Sequence, residues 1–373
     1  MLYIHIPYCH GKCSYCAFCS IVPLRDTQPY VEAVCRELRL RADEASSPLR
    51  TLYFGGGTPS LLTIDQLKQI IETLRLYYDL SQIEESTIEC NPEDLSTAYL
   101  QGLNGLRIFN RLSIGIQSFR DADLFRLRRR HTSAEAIQAV IRAYQAGFDN
   151  ISLDLIYGLP NQSEDDWKQN LQTLSEIDPD HDFIRHLSCY ALSVEPGTIL
   201  SHQVEQGQLV PASEETVLKQ YHELLSWSQR YGFGQYEISS FCQPGFHSRH
   251  NSRYWNRTPY IGIGAAAHGF NGQHRRWNTS DIKRYISLVG ISEDYHESEL
   301  LSPSDAYNEY VMTSLRTTMG IEKSKLSAEQ LNLLHTHIQR FIAAGLIEET
   351  STHYKPTANG LLQADGMAAE LFI

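Results

Sequence analysis

Six segments of the chain alternate apolar and polar residues at every second position, and a helical pattern fills each gap between them. This repeat excludes more folds than any other property of the sequence. The segments are residues 2–7, 51–54, 87–90, 111–117, 150–157 and 184–191. Between them, Tyr30, Val34 and Leu38 recur on one helical face, and Thr63-Ile64-Asp65-Gln66 is a capping box ahead of Leu67, Ile70, Ile71 and Leu74. A short helix follows over residues 96–103. Thr132-Ser133-Ala134-Glu135 opens the next, with Ile137, Val140, Ile141 and Tyr144 inward and Gly147 at its end. Trp167, Leu171 and Leu174 mark a fifth helix, and residues 214–231 a sixth. Successive strand-then-helix units predict a parallel sheet with right-handed crossovers. The strand faces decide its shape: Leu112, Ile114 and Ile116 oppose Ser113, Gly115 and Gln117, and Ile151, Leu153 and Leu155 oppose Ser152 and Asp154. A flat doubly wound sheet buries both faces and reads as continuous apolar runs. One greasy and one polar face predict a curved sheet with helices outside and a polar lumen. The expected α/β architecture is a partial (β/α)6 barrel with a ligand in the mouth formed by the C-terminal strand ends.

From about Ser302 the texture changes. Tyr307, Val311 and Leu315 predict a helix ending near Gly320, and Leu331, Leu334, Ile338 and Phe341 a second ending at Gly345. Residues 346–355 read as a β-hairpin before a last helix, which suggests a small winged-helix-like domain. The expected division is a core barrel over 1–245, a segment packing on it over 246–300 and a helical C-terminal domain over 301–373. The chain carries a net charge of −12, a field that repels phosphate backbones. The C-terminal domain has five basic and eight acidic residues, so nucleic acid is not an expected partner. No stretch approaches the ~20 apolar residues of a membrane span, and the opening residues 1–7 lack the basic and apolar regions of a secretory signal. A cytoplasmic, reducing compartment is expected.

Four of the eight cysteines, Cys9, Cys13, Cys16 and Cys19, crowd into eleven residues immediately after the first strand. The other four, Cys35, Cys90, Cys189 and Cys242, lie in apolar segments and read as small buried hydrophobes. Cys9-x3-Cys13-x2-Cys16 sits on a loop that the barrel presents at its mouth, where three thiolates can converge on one metal centre. A [4Fe-4S] cube held by three cysteines keeps one iron open to a further ligand. The alternative is a structural zinc knuckle, with Cys19 or His10 as the fourth ligand.

This spacing after a first strand, with Gly55-Gly56-Gly57-Thr58-Pro59 after the second, resembles the radical S-adenosylmethionine (SAM) superfamily. The resemblance implies a cluster whose open iron chelates the amino and carboxylate groups of SAM, and one-electron cleavage of SAM to a 5'-deoxyadenosyl radical. Tyr3-Ile4-His5-Ile6-Pro7-Tyr8-Cys9, Glu89-Cys90-Asn91-Pro92, residues 112–119 and residues 154–160 are similar to the family of oxygen-independent coproporphyrinogen III oxidases (HemN-like) and its HemW branch. Carried over by position, Tyr3, Tyr15, Gly57, Thr58, Glu89, Gln117, Arg129, Asp154 and Ala191 are implied to contact SAM. Independently, Glu89, Gln117 and Asp154 are the polar residues of successive lumen faces, suited to charge-assisted hydrogen bonds. The run Arg126, Arg128, Arg129 and Arg130 by itself reads as a solvated helix face.

Two departures separate the branches. The oxidases carry an arm before the first strand and a fourth cysteine two residues after the third, whereas here Tyr3 is nearly the first residue, position 18 is Phe18 and Cys19 is out of register. Conversely, His250-Asn251-Ser252-Arg253-Tyr254-Trp255 matches the H-N-x-x-Y-W motif of the HemW branch, whose members are regarded as haem chaperones serving respiratory targets. His250 is the expected axial ligand to haem and His268 a second candidate. Arg249, Arg253 and Arg257 are spaced to share one helix side and pair with propionates. The implied cofactors and cargo are a [4Fe-4S] cluster, SAM and haem, and the implied partners are haem-accepting respiratory proteins, with peripheral membrane contact through the recipient. Coproporphyrinogen III dehydrogenation and haem-opening radical methyl transfer stand as alternative activities.

Overall fold

The computed structural model describes residues 1–22 and 26–373. All six expected strands form: β1 (Leu2–Ile6), β2 (Thr51–Gly56), β3 (Glu85–Cys90), β4 (Arg111–Gln117), β5 (Ile151–Tyr157) and β6 (Ile184–Ala191) pair in parallel, in sequence order. The sheet then runs on at both ends. β7 (Gly234–Gln235) and β8 (Ser240–Cys242) add antiparallel strands beyond β6, and β9 (Ile261–Ile263) pairs in parallel with β1. Its two edges never meet, so the barrel stays open, as the partial barrel requires.

The crossovers are α1 (Gln28–Leu40), α2 (Ile64–Tyr77), α3 (Thr97–Gly105), the short α4 (Asp121–Arg126), α5 (Ser133–Gln145) and α6 (Glu164–Ile177). Both capping boxes close: the Thr63 and Thr132 side chains accept from the N3 amides while Gln66 and Glu135 reach back to the cap. Leu112, Ile114, Ile116, Ile151, Leu153 and Leu155 are fully buried beneath these helices. Side-chain alternation sends their neighbours Ser113, Gln117 and Asp154 into the lumen. After β6 come α7 (Ile199–Glu205) and α8 (Glu214–Arg230), then α9 (Arg249–Trp255).

The next stretch builds a second sheet of β10 (His268–Phe270), β11 (His274–Asn278) and β12 (His296–Leu300), with α10 (Ile282–Leu288) between the last two. One buried carboxylate ties it to the barrel. Glu37 of α1 accepts from the Gly264 amide (2.8 Å), Asn278 Nδ2 (2.8 Å), the Tyr285 hydroxyl (2.7 Å) and Arg41 (3.1 Å). A charge with no exposed surface is tolerable only when so fully partnered.

The remaining elements are α11 (Pro303–Leu315), β13 (Ile321–Glu322), α12 (Ala328–Ala343), β14 (Ile347–Glu349), β15 (His353–Pro356), α13 (Ala358–Leu362) and α14 (Ala364–Glu370). They share a hydrophobic cluster of their own that includes Val311, Leu334, Ile338 and Tyr354. The expected hairpin is β14–β15, and β13 adds a third strand that the sequence pattern did not indicate. The helix expected to reach Gly320 stops at Leu315, and Gly320, at φ +69°, turns the chain into β13 instead. Among the described residues no helix is long and apolar enough to cross a membrane.

Candidate functional site

At the C-terminal ends of the parallel strands opens a cavity of about 730 Å³. Cys9, Cys13, Cys16, Tyr15, Gly57, Thr58, Glu89, Gln117, Arg129, Asp154 and Ala191 all line it. Residues from the loop after β1 and from β2 to β6 therefore meet at one place, although they are spread over about half of the sequence.

The cysteine loop is pinned by backbone: the Cys9 amide donates to Ile21 O and the Ser14 amide to Leu127 O. The Thr58 hydroxyl lies 3.5 Å from Cys9 Sγ, and Arg129 Nη1 lies 3.4 Å from Cys13 Sγ. Cys19 stands apart, its Sγ 3.8 Å from Ser280 O, and does not line the cavity. Among the described residues no three His, Cys, Asp or Glu side chains are yet as close as metal coordination requires. The glycines open the floor: a Cβ on Gly57 would lie 2.7 Å from Tyr8 O, and one on Gly56, at φ +114°, would strike the His5 ring at 2.5 Å.

The electrostatics are divided. Glu89 accepts from the Tyr53 hydroxyl (2.8 Å) and the Gly56 amide (3.0 Å), and burial pushes its carboxyl up to about 7, with Asp154 adding to the rise. Asp154 accepts from Ser113 Oγ at 3.3 Å, and burial lifts it to about 6 against the pull of Arg111. Opposite them, Arg129 Nη2 donates to Asn91 Oδ1 (2.6 Å) and Gly115 O (2.8 Å) while its buried Nε has no partner. No carboxylate pairs with it among the described residues. A mostly buried guanidinium without a counter-ion suits an anion arriving in the cavity, whether a cluster thiolate or a ligand carboxylate. The arginine run is thus no helix face: α4 ends at Arg126, and Arg128, Arg129 and Arg130 border the cavity.

Two expected site residues lie elsewhere. Tyr3 does not line the cavity; its hydroxyl is hydrogen-bonded to His5 Nδ1 at 2.9 Å, behind Gly56, and its ring lies 6.1 Å from that of Tyr53, the donor to Glu89. His250 is fully buried, with Nδ1 hydrogen-bonded to Thr51 Oγ1 (2.9 Å) and Nε2 to the Tyr254 hydroxyl (3.1 Å). Neither nitrogen is free for iron. The arginines around it are also spent. Arg249 and Arg253 face Glu84, and Arg257, beyond the end of α9, pairs with Glu309. The motif instead supports the site from beneath, since the His250 ring packs 5.0 Å from Tyr53, the donor to Glu89.

Alternation placed Ser113 on the polar face, where it donates to Asp154. Sequence reasoning missed Tyr53 and Arg316. Tyr53, on β2, donates to Glu89 from behind the cavity wall, and alternation could have found it; Arg316 reaches the cavity from the C-terminal domain, and no local pattern announces it.

Comparison with known proteins agrees with this architecture. Residues 3–174 match the Radical SAM superfamily, whose cofactors are a [4Fe-4S] cluster and SAM, and residues 301–362 match the HemN C-terminal domain. The fold is that of coproporphyrinogen III oxidase (HemN) from Escherichia coli, at a TM-score of 0.83 and 23% identity over 100% of this chain and 89% of that one. Heme chaperone HemW of Bacillus subtilis (strain 168) is 33% identical over 87% of this chain and 85% of its own length. Heme chaperone HemW of Mycobacterium tuberculosis (strain ATCC 25618 / H37Rv) is 31% identical over 99% and 94%. The chain therefore belongs to the HemW family of the radical SAM superfamily.

Proposed function

We propose that this protein is a haem chaperone that binds haem, a [4Fe-4S] cluster and SAM, and passes haem to acceptor proteins. The single observation behind the cofactor assignment is the convergence of three thiols, two lifted carboxyls and one unpaired guanidinium on the same mouth cavity. The haem assignment rests on family membership. In this reading Cys9, Cys13 and Cys16 hold the cluster, and Cys19 does not. Arg129 takes the SAM carboxylate, Glu89 and Asp154 take its cationic or hydroxyl groups, and Gln117, Thr58 and Tyr15 close around it. Gly57 leaves room for the ligand beside the backbone, and Ala191 borders the far wall. Bound together, cluster and SAM supply one-electron chemistry at the open end of the barrel. We assign the protein to the cytoplasm, with respiratory haem proteins as recipients and membrane contact made through them. We divide the chain into a core barrel over 1–245, a segment over 246–300 and a C-terminal domain over 301–373.

The test is anaerobic reconstitution followed by incubation with haem and an apo acceptor, and separately with coproporphyrinogen III, SAM and a reductant. Haem transfer without formation of protoporphyrinogen IX is the expected result. Formation of protoporphyrinogen IX would instead establish the oxidase activity.

A further inference from the structure

With His250 sealed in the core, the iron of a haem must find another ligand. His268 begins β10 beside the barrel mouth, and its ring is exposed and makes no hydrogen bond among the described residues. Partial desolvation beside the sheet, and then the charge of Arg275, lower its pKa from the ordinary imidazole value, which favours the neutral form that binds iron.

The surroundings suit a porphyrin. His268 pairs across the sheet with Trp277, whose ring lies 6.3 Å away at 29° to the imidazole, and both border a second cavity of about 280 Å³. That cavity is also lined by Arg284, which donates to Asp294 O (2.8 Å) and pairs with no carboxylate among the described residues. Asp294 and Glu297 line the cavity as well, so propionates are directed to the Arg284 side. The backbone before His268 turns at Gly264 (φ +105°) and is strained at Ala266, a residue with a side chain held at φ +59°. Hydrogen bonds from the Ala266 amide to Thr279 O and from the Asn278 amide to Ala267 O fix that conformation. The same rim meets the cysteine loop, because Cys19 Sγ approaches Ser280 O and the neighbouring Phe18 is 70% exposed.

We propose that His268 is the axial ligand to haem iron, with the porphyrin edge against Trp277 and a propionate on Arg284. The assignment rests on the haem-binding reading above. It names a site between the second sheet and the cysteine loop, away from the H-N-x-x-Y-W motif.

The test is titration of the full, reconstituted chain with haem, for wild type, His268→Ala, His268→Gly, Cys19→Ser and His250→Gln. His268→Ala is expected to shift the Soret band and weaken binding at least about tenfold, with its melting temperature unchanged because the ring is exposed. Added imidazole should restore the wild-type band in His268→Gly. Cys19→Ser and folded His250→Gln should keep the wild-type spectrum. Haem binding by wild type with an unaltered band and affinity in His268→Ala overturns the ligand assignment and leaves the chaperone reading standing. A band shift in Cys19→Ser with His268→Ala silent also overturns it, in favour of the thiolate. Absence of haem binding by wild type removes both readings together.

Discussion

Replacement of His250 separates a structural from a ligand role. His250→Ala removes two hydrogen bonds and leaves the hydroxyls of Thr51 and Tyr254 without partners in a site closed to water. At ~1–3 kcal/mol for each stranded group, plus the space left beside Tyr53 and Tyr254, the expected loss is about 3–5 kcal/mol. At ~2 °C per kcal/mol for a chain of this size, the melting temperature should fall by about 6–10 °C. The acid limb adds a second signature. Burial, with help from the chain's N-terminal amine and Arg253, lowers the folded-state pKa from 6.5 to about 3. The unfolded chain accepts a proton near pH 6.5 that the folded chain refuses until about pH 3. His250 therefore contributes its full stability above pH 6.5 and loses it as pH falls, by about 2 kcal/mol at pH 5. Other buried histidines such as His186 share this slope, so the informative quantity is the difference between wild type and His250→Gln. Urea unfolding of the cluster-free, reduced protein from about pH 7 to pH 5 measures it, with a shallower slope expected in the glutamine variant. A parallel pH dependence in the two proteins, or an unchanged melting temperature in His250→Ala, would refute the buried-imidazole argument.

Alanine at Cys9, Cys13 or Cys16 should abolish the roughly four iron and four sulfide per reconstituted chain, whereas Cys19→Ala should retain them; iron and sulfide analysis decides, and loss in Cys19→Ala would overturn the three-ligand assignment. Glu89 and Asp154, lifted to about 7 and about 6, make the empty barrel less stable as pH rises through those values, while their ionised forms attract the cationic SAM. SAM affinity measured by calorimetry should therefore rise between about pH 5.5 and pH 7.5, and Asp154→Asn should weaken binding and flatten the rise; affinity unchanged from wild type in both Asp154→Asn and Gln117→Ala would refute the lumen assignment. Glu37→Gln should cost about 3 kcal/mol or more, because Arg41 keeps Glu44 and the Gly262 carbonyl but loses its buried counter-ion, and the donors of Gly264, Asn278 and Tyr285 lose a shared carboxylate. A melting temperature within about 1 °C of wild type would contradict that network.

The barrel was legible in the sequence because each strand reports its own environment. Ile114 and Ser113 face opposite sides by geometry alone, and six such strands joined by amphipathic helices leave few arrangements. The cysteine spacing and the glycines after β2 were equally local, since a loop of eight residues decides by itself whether its thiols can meet. Glu89, Gln117 and Asp154 were found because alternation places them on one face and parallel order brings those faces together.

What the sequence did not disclose depends on contacts between distant segments. His250 lies in a motif of the right chemistry for haem, but whether its nitrogens are free is decided by Thr51, some two hundred residues away, and by burial against Tyr53. His268 shows no stronger local signal, yet the sheet leaves it exposed beside Trp277. Arg316 enters the mouth cavity from a separate hydrophobic cluster, and Glu37 becomes a junction only once four donors close around it. Periodicity is a property of neighbours along the chain and can be read there. The partnering of a buried polar atom is a property of the packed molecule, because the desolvation that makes it matter exists only after folding.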